Sequence, residues 1–157
     1  MPTKSPPSRR PTPRARRQLL CKTFEEKVPF NRLLGMKLVW LGGKTPQIRF
    51  AMRPELIGNP SRGILHGGVI SSVLDVMAGA VIHAALIERH GIGEQLAFPN
   101  IGTVDLRVDY LRPGRGNHFV ATGHVVRMGR RIAVAHMELA NDEGELIATG
   151  SAAYVVG

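Results

Sequence analysis

Hydrophobic residues in the middle of the chain recur at the spacing of a helix. Over residues 68–89, apolar side chains lie three and four positions apart, and no proline interrupts them. The segment begins with a glycine and is followed by His90-Gly91, which is typical of a helix end. The pattern predicts one long helix that is mostly buried.

Six other segments are rich in apolar and β-branched residues and are bounded by residues that favour turns. They cover residues 36–41, 45–52, 103–111, 119–128, 132–139 and 146–155. Gly42-Gly43, between the first two, suits a tight hairpin. We expect short helical turns over residues 24–34, two strands, a polar loop over residues 53–63, the long helix, and then four strands in a meander.

An antiparallel sheet must bury one of its faces, and the predicted helix is the long apolar element available to cover it. The sequence therefore predicts an α+β fold in which an antiparallel sheet of about six strands wraps around a central helix. A chain of 157 residues with 43% hydrophobic content is long enough for one such core and too short for two ordinary domains.

Charge changes this picture at the N-terminus. Residues 1–17 contain six basic residues, five prolines and no acid, and they carry most of the net charge of +9. This composition predicts a disordered tail, with the folded domain over residues 18–157. A nucleic-acid-binding arm and an organellar presequence are the alternatives for the tail. An aromatic content of 5% argues against base recognition by the fold, so a nucleic-acid partner is not expected.

Composition also limits cofactors and compartment. The single cysteine, Cys21, cannot form an internal disulfide, and the histidines show no metal-ligand spacing. The apolar-rich stretch over residues 69–87 is interrupted by four polar side chains, so no membrane span is expected. The sequence indicates a cytoplasmic protein that uses neither a metal nor another cofactor.

Two features at the long helix suggest chemistry. Gly67 and Gly68 stand at its start, where unpaired N–H groups and the helix dipole favour negative charge, such as the oxyanion formed when a thioester is attacked. Asp75 follows within an apolar stretch, where a carboxylate must be hydrogen-bonded, neutralised or beside water. The alternatives are glycines that only permit close packing, and an aspartate exposed on a polar stripe with Ser71 and Ser72.

The ordered set of motifs resembles a known family. His66-Gly67-Gly68 followed by Asp75, together with residues 103–113, 129–131 and 148–152, resembles the hotdog-fold acyl-CoA thioesterases of the phenylacetate-degradation and 4-hydroxybenzoyl-CoA thioesterase type. The resemblance covers roughly residues 30–156. It implies a hotdog fold and the hydrolysis of an acyl-CoA or acyl-carrier-protein thioester, consistent with a place in fatty acid metabolism.

The resemblance also implies roles for single residues. In the family, the acid that matches Asp75 is a general base or a nucleophile, and both routes stay open here. His66 would orient the substrate carbonyl, or it would only satisfy backbone groups. Asn59 resembles the asparagine that positions water, although it lies seven residues before His66, one more than in the relatives. Thr103 would face Asp75 from the partner subunit of a homodimer or homotetramer, or it would be an ordinary strand threonine.

Four arginines are candidates for binding the phosphates of CoA, because the guanidinium fork suits phosphate oxygens. Their alternative is ordinary solvated charge. They stand in the turns after the third and fourth strands: Arg112, Arg115, Arg130 and Arg131.

Other functions compete with thioester hydrolysis. A hotdog dehydratase or hydratase would pair an acid with a catalytic histidine, and a non-catalytic acyl-CoA-binding protein would not need Asp75. The spacing between His66 and Asp75 looks more like the thioesterases. An apolar lining from Met36, Val76, Met77 and Phe98 would suit a medium or long aliphatic acyl chain.

Overall fold

The computed structural model describes residues 12–40, 45–90 and 100–157. Its helices are α1 (Pro13–Lys22), a π-helical turn (Thr23–Lys27), α2 (Pro29–Leu33), a 3₁₀ turn (Pro54–Leu56) and α3 (Gly67–His90). Its strands are β1 (Lys37–Val39), β2 (Gln47–Ala51), β3 (Ile57–Asn59), β4 (Ile64–Leu65), β5 (Ile101–Tyr110), β6 (His118–Met128), β7 (Ile132–Asn141) and β8 (Leu146–Val156).

Six strands form one antiparallel sheet in the order β1-β2-β6-β7-β8-β5. Each coincides with a segment predicted from the sequence, and β5 lies at one edge. β1 and β2 pair as the predicted hairpin partners, while their Gly42-Gly43 turn lies outside the described residues. The polar loop predicted over residues 53–63 contains β3, which pairs with β4 in a separate two-stranded sheet.

The core lies between α3 and the concave face of the sheet. On α3, Leu74, Met77 and Ile82 are completely buried, and alternate residues of β7 meet them from the sheet, as the two-residue period of a strand requires. Burying one such side chain contributes about 1.5–3 kcal/mol to the stability of the fold. This arrangement confirms the predicted α+β fold with a central helix.

The central helix is long and apolar, although four polar side chains interrupt it over residues 69–87. The segment Gly67–Arg89 is long and apolar enough to cross a membrane, judged by length and composition, although no span was expected there. Half of the 18-residue apolar window within it is buried inside the fold, as expected of a helix that fills the core of a sheet.

The N-terminal boundary of the fold differs from the prediction. Residues 13–17, which were assigned to a disordered tail, form the first turns of α1, whose N-terminus is capped by the Thr12 side chain. The helix is anchored by Leu20, which is 4% exposed, and the Arg17 guanidinium lies 5.7 Å from the centre of the Trp40 ring. Residues 1–11 lie outside the described residues.

Candidate active site

His66 caps the start of α3. Its Nδ1 accepts a hydrogen bond of 2.8 Å from the Gly68 N–H, and its carbonyl oxygen accepts one of 3.0 Å from the Val69 N–H. Acceptance at Nδ1 puts the proton of the neutral ring on Nε2. A Cβ at position 68 would lie 2.9 Å from Nδ1, so a side chain there would displace the imidazole ring.

The two glycines therefore have different surroundings. The Gly68 N–H is taken by His66, whereas the Gly67 N–H donates no hydrogen bond to any described residue. The Gly67 carbonyl accepts a bond of 3.0 Å from the Tyr110 hydroxyl, which ties the end of β5 to the helix start. Of the two N–H groups suggested by the sequence, Gly67 offers the one that remains available to an anion.

Asp75 lies in the third turn of α3 and is half-buried. Its Oδ1 accepts hydrogen bonds of 2.8 Å from Thr103 Oγ1 and 2.7 Å from the Tyr154 hydroxyl. The Tyr154 hydroxyl also lies 2.6 Å from the Asp75 carbonyl oxygen. Asp75 is therefore hydrogen-bonded rather than freely exposed, while Ser71 and Ser72 donate to the Gly68 carbonyl.

Thr103 reaches Asp75 from the same chain. The sequence had placed this contact between subunits, and the intrachain bond of 2.8 Å corrects that expectation. Thr103 on β5 pairs with Tyr154 on the neighbouring strand β8, and the next pair is Asp105 with Ala153. Val104 is therefore an extra residue in β5. Because side chains alternate between faces, this β-bulge turns Thr103 toward the helix.

Tyr154 was missed from the sequence. It is 5% exposed, and its burial, followed by its hydrogen bond to Asp75, raises the pKa of the phenol well above the usual value. The hydroxyl therefore stays protonated and remains a hydrogen-bond donor. Strand alternation in β8 could have placed this side chain on the inner face, but its partner on α3 depends on how helix and sheet pack.

Asn59 belongs to the β3–β4 hairpin. Its Oδ1 accepts from the Ser61 hydroxyl at 2.7 Å, and its carbonyl oxygen accepts from the Arg62 and Gly63 N–H groups. Within the described residues, neither Asn59 nor His66 is hydrogen-bonded to Asp75. The hairpin joins the helix start through the His66 N–H, which donates to the Leu56 carbonyl at 2.8 Å.

The four arginines do not form one cluster within a chain. Arg112 and Arg115 precede β6, while Arg130 and Arg131 follow it, and an 11-residue strand separates the pairs by about 33 Å. The first pair lies near the start of α3, because the Leu65 N–H donates to the Gly114 carbonyl at 3.0 Å. Arg112 already has partners within the chain: it donates one hydrogen bond to the Leu146 carbonyl and forms an ion pair with Glu145.

The four residues expected to line the acyl chain do not share one environment. Met36 and Met77 are 2% and 0% exposed and belong to the core, whereas Val76 is half-buried. Phe98 lies outside the described residues. No group of three His, Cys, Asp or Glu side chains in the described part of the chain is placed to hold a metal ion.

The chain belongs to the thioesterase superfamily, whose family model matches residues 62–148. It is 45% identical over 144 residues to the medium/long-chain acyl-CoA thioesterase YigI of Escherichia coli, covering 89% of this chain and 93% of that protein. Mouse acyl-coenzyme A thioesterase 13 is 28% identical over 127 residues, covering 79% of this chain and 83% of that protein.

A solved structure supports the same assignment. A Shewanella oneidensis protein related to the thioesterase superfamily superposes with a TM-score of 0.82 at 42% identity, covering 90% of this chain and 95% of that one. The predicted family, the hotdog fold and the enzyme class of a thioester hydrolase are confirmed.

Proposed function

We propose that this protein is an acyl-CoA thioesterase that hydrolyses medium- and long-chain acyl-CoA to the free acid and CoA. The observation that carries the proposal is the Asp75 carboxylate on α3, which accepts hydrogen bonds from the hydroxyls of Thr103 and Tyr154. The start of the same helix offers the Gly67 N–H, which is free among the described residues. The chain-length class follows from the similarity to the E. coli enzyme of that name.

Asp75 is the proposed general base. It takes a proton from a water molecule as the water oxygen bonds to the thioester carbonyl carbon, giving a tetrahedral oxyanion. The carbonyl re-forms as the C–S bond breaks, and the proton on Asp75 passes to the departing CoA thiolate. Acid and thiol are released, and the carboxylate is regenerated.

The Gly67 N–H is the proposed donor to the oxyanion, and it would serve the Asp75 site of another subunit, because eight residues of helix place it about 12 Å from Asp75 in its own chain. It lies in the first turn of a 24-residue helix, where the positive end of the helix dipole adds to the effect of a single N–H. His66 supports this donor indirectly, because its bond to the Gly68 N–H fixes the conformation of the turn. Asn59 is proposed to shape the adjacent loop rather than to hold the water.

The phosphates of CoA are proposed to bind near Arg112 and Arg115, the pair close to the helix start. Arg130 and Arg131 would reach the same CoA only from another subunit, because of their distance along β6. A homodimer or homotetramer is proposed because β5 is an edge strand that exposes Val104 (61%) and Tyr110 (54%). A cytoplasmic location is part of the same proposal.

The test is hydrolysis of a panel of acyl-CoA thioesters of increasing chain length, together with aryl-CoA thioesters, with released thiol as the readout. The proposal predicts the highest kcat/KM with medium and long aliphatic chains. Binding of these thioesters without turnover would identify a non-catalytic acyl-CoA-binding protein instead. Preferential hydrolysis of aryl-CoA would contradict the proposed substrate class.

A single turnover in heavy-oxygen water tests for an anhydride that water opens at Asp75. Water attack on the thioester places the heavy oxygen in the released acid and leaves Asp75 unlabelled. An anhydride intermediate opened by water at the aspartyl carbonyl would place it in Asp75, which mass spectrometry of the peptide would detect.

A further inference from the structure

We infer that Tyr154 is a positioning residue that holds Asp75 by Oδ1 and so reserves Oδ2 as the oxygen that takes the proton from water. This inference rests on the proposed function of Asp75 and deepens it. It assigns a task to a side chain on the last strand of the sheet, and it distinguishes the two oxygens of the catalytic carboxylate.

The Tyr154 hydroxyl contacts Asp75 at two oxygen atoms. The Tyr154 hydroxyl lies 2.7 Å from Oδ1 and 2.6 Å from the carbonyl oxygen of the same residue. Because the one hydroxyl proton is shared between the side chain and the main chain of Asp75, this contact restricts rotation of the carboxylate relative to the helix. Thr103 approaches the same Oδ1 at 2.8 Å, and no described residue donates to Oδ2.

The sheet brings Thr103 and Tyr154 together. They are direct cross-strand partners, so their hydroxyls converge on one carboxylate oxygen. Gly79 lies one helical turn after Asp75, and a Cβ there would be 3.5 Å from both Cε1 and the hydroxyl oxygen of Tyr154. The phenol ring therefore lies against the helix within one turn of Asp75.

The Tyr154 hydroxyl also keeps its proton. Burial raises the pKa of its phenol, so the hydroxyl donates throughout the pH range in which a carboxylate base works. No charged side chain of the described residues forms an ion pair with Asp75. The polar side chains of the described residues that reach Asp75 are thus Thr103 from β5 and Tyr154 from β8.

A kinetic consequence follows from this arrangement. Without the Tyr154 hydroxyl, the carboxylate is freer to rotate and is less often aligned with the water. The value of kcat should therefore fall by about tenfold while KM changes little.

The test compares wild type with Tyr154→Phe, which keeps the ring and removes the hydroxyl. Ser151→Ala is the matched control, because it deletes a β8 hydroxyl that lies 3.2 Å from His136, away from Asp75. The expected result is a kcat about tenfold lower with an unchanged KM for Tyr154→Phe, and wild-type values for Ser151→Ala. An unchanged kcat would overturn the inference, and so would a loss of kcat/KM that comes from a raised KM alone.

A second variant decides the matter if Tyr154→Phe does not fold. Difluorotyrosine placed at position 154 keeps the hydroxyl and makes it a stronger donor to Asp75, so kcat should change while KM stays at the wild-type value. A wild-type kcat in this variant would overturn the inference. Asp75→Asn is measured alongside these variants. Full turnover by Asp75→Asn would refute the proposed function, whereas Asp75-dependent hydrolysis that ignores Tyr154 would refute this inference alone.

Discussion

Replacing Thr103 by valine removes one of the hydroxyls that hold Asp75 while keeping a β-branched side chain in β5. The lost bond, 2.8 Å from Oγ1 to Oδ1, is of the kind that contributes about 1.5–3 kcal/mol when the acceptor is charged. Thr103 is exposed, so water replaces part of that bond. We therefore expect a loss of about 1 kcal/mol in the transition state, which corresponds to a roughly fivefold lower kcat.

The assay is steady-state thiol release from a saturating acyl-CoA, with thermal unfolding measured in parallel. Thr149→Val is the matched control, because Thr149 pairs with Glu138 and Asp109 on the neighbouring strands and makes no hydrogen bond to Asp75. Its kcat should match that of the wild type. If folded Thr103→Val keeps wild-type kcat, Thr103 does not support the carboxylate, and the account of the site is wrong at this residue.

Three further predictions follow from other contacts. Mixed oligomers of Asp75→Ala and Thr103→Ala subunits should regain no activity after demonstrated subunit exchange, because Asp75 and Thr103 of one chain act in the same site. Recovered activity would show that the two residues of a site come from different chains. Leu20→Ala should lower the melting temperature by about 4 to 10 °C, since it opens a cavity under α1, whereas deleting residues 1–11 should leave the melting temperature unchanged; equal effects would contradict this. The backbone N–H of Asn117 lowers the pKa of Asp142, so this carboxylate stabilises the fold above its unfolded pKa of about 3.9 and less as the pH falls through its folded pKa. Urea unfolding should therefore find Asp142→Asn less stable than wild type at neutral pH, with the difference shrinking in acid; a constant difference would argue against this cause.

The order of elements could be predicted because each buried element has a clear period. The apolar residues of α3 recur every three or four positions, and those of β7 alternate, so both buried faces are visible in the sequence. The beginning of α1 was missed because residues 13–17 are basic and contain proline. Leu20, further along the same helix, anchors these turns, and proline is favourable in a first helical turn.

The site could be predicted only in part. The resemblance pointed to Asp75 and Thr103, but plain alternation along β5 would turn Thr103 away from the helix, since Leu106 lies on the inner face. The bulge at Val104 reverses this, and a bulge has no reliable signal in a single sequence. Tyr154 was missed because its contact joins residues 79 positions apart.

Only two of the four predicted arginines lie near the start of α3 in one chain, for a related reason. Turns that are close in sequence can lie at opposite ends of a long strand, and β6 has 11 residues between the two pairs. Charge type and turn location alone therefore could not decide which arginines lie near the start of α3.

The central claim is that Asp75 directs water at an acyl-CoA thioester. The most direct measurement is kcat for Asp75→Asn with a long-chain acyl-CoA, in a variant whose circular dichroism and melting curve show an intact fold. The account predicts a fall of about two to four orders of magnitude, the range expected for loss of a general base. A folded Asp75→Asn enzyme with turnover within a few-fold of wild type would contradict it.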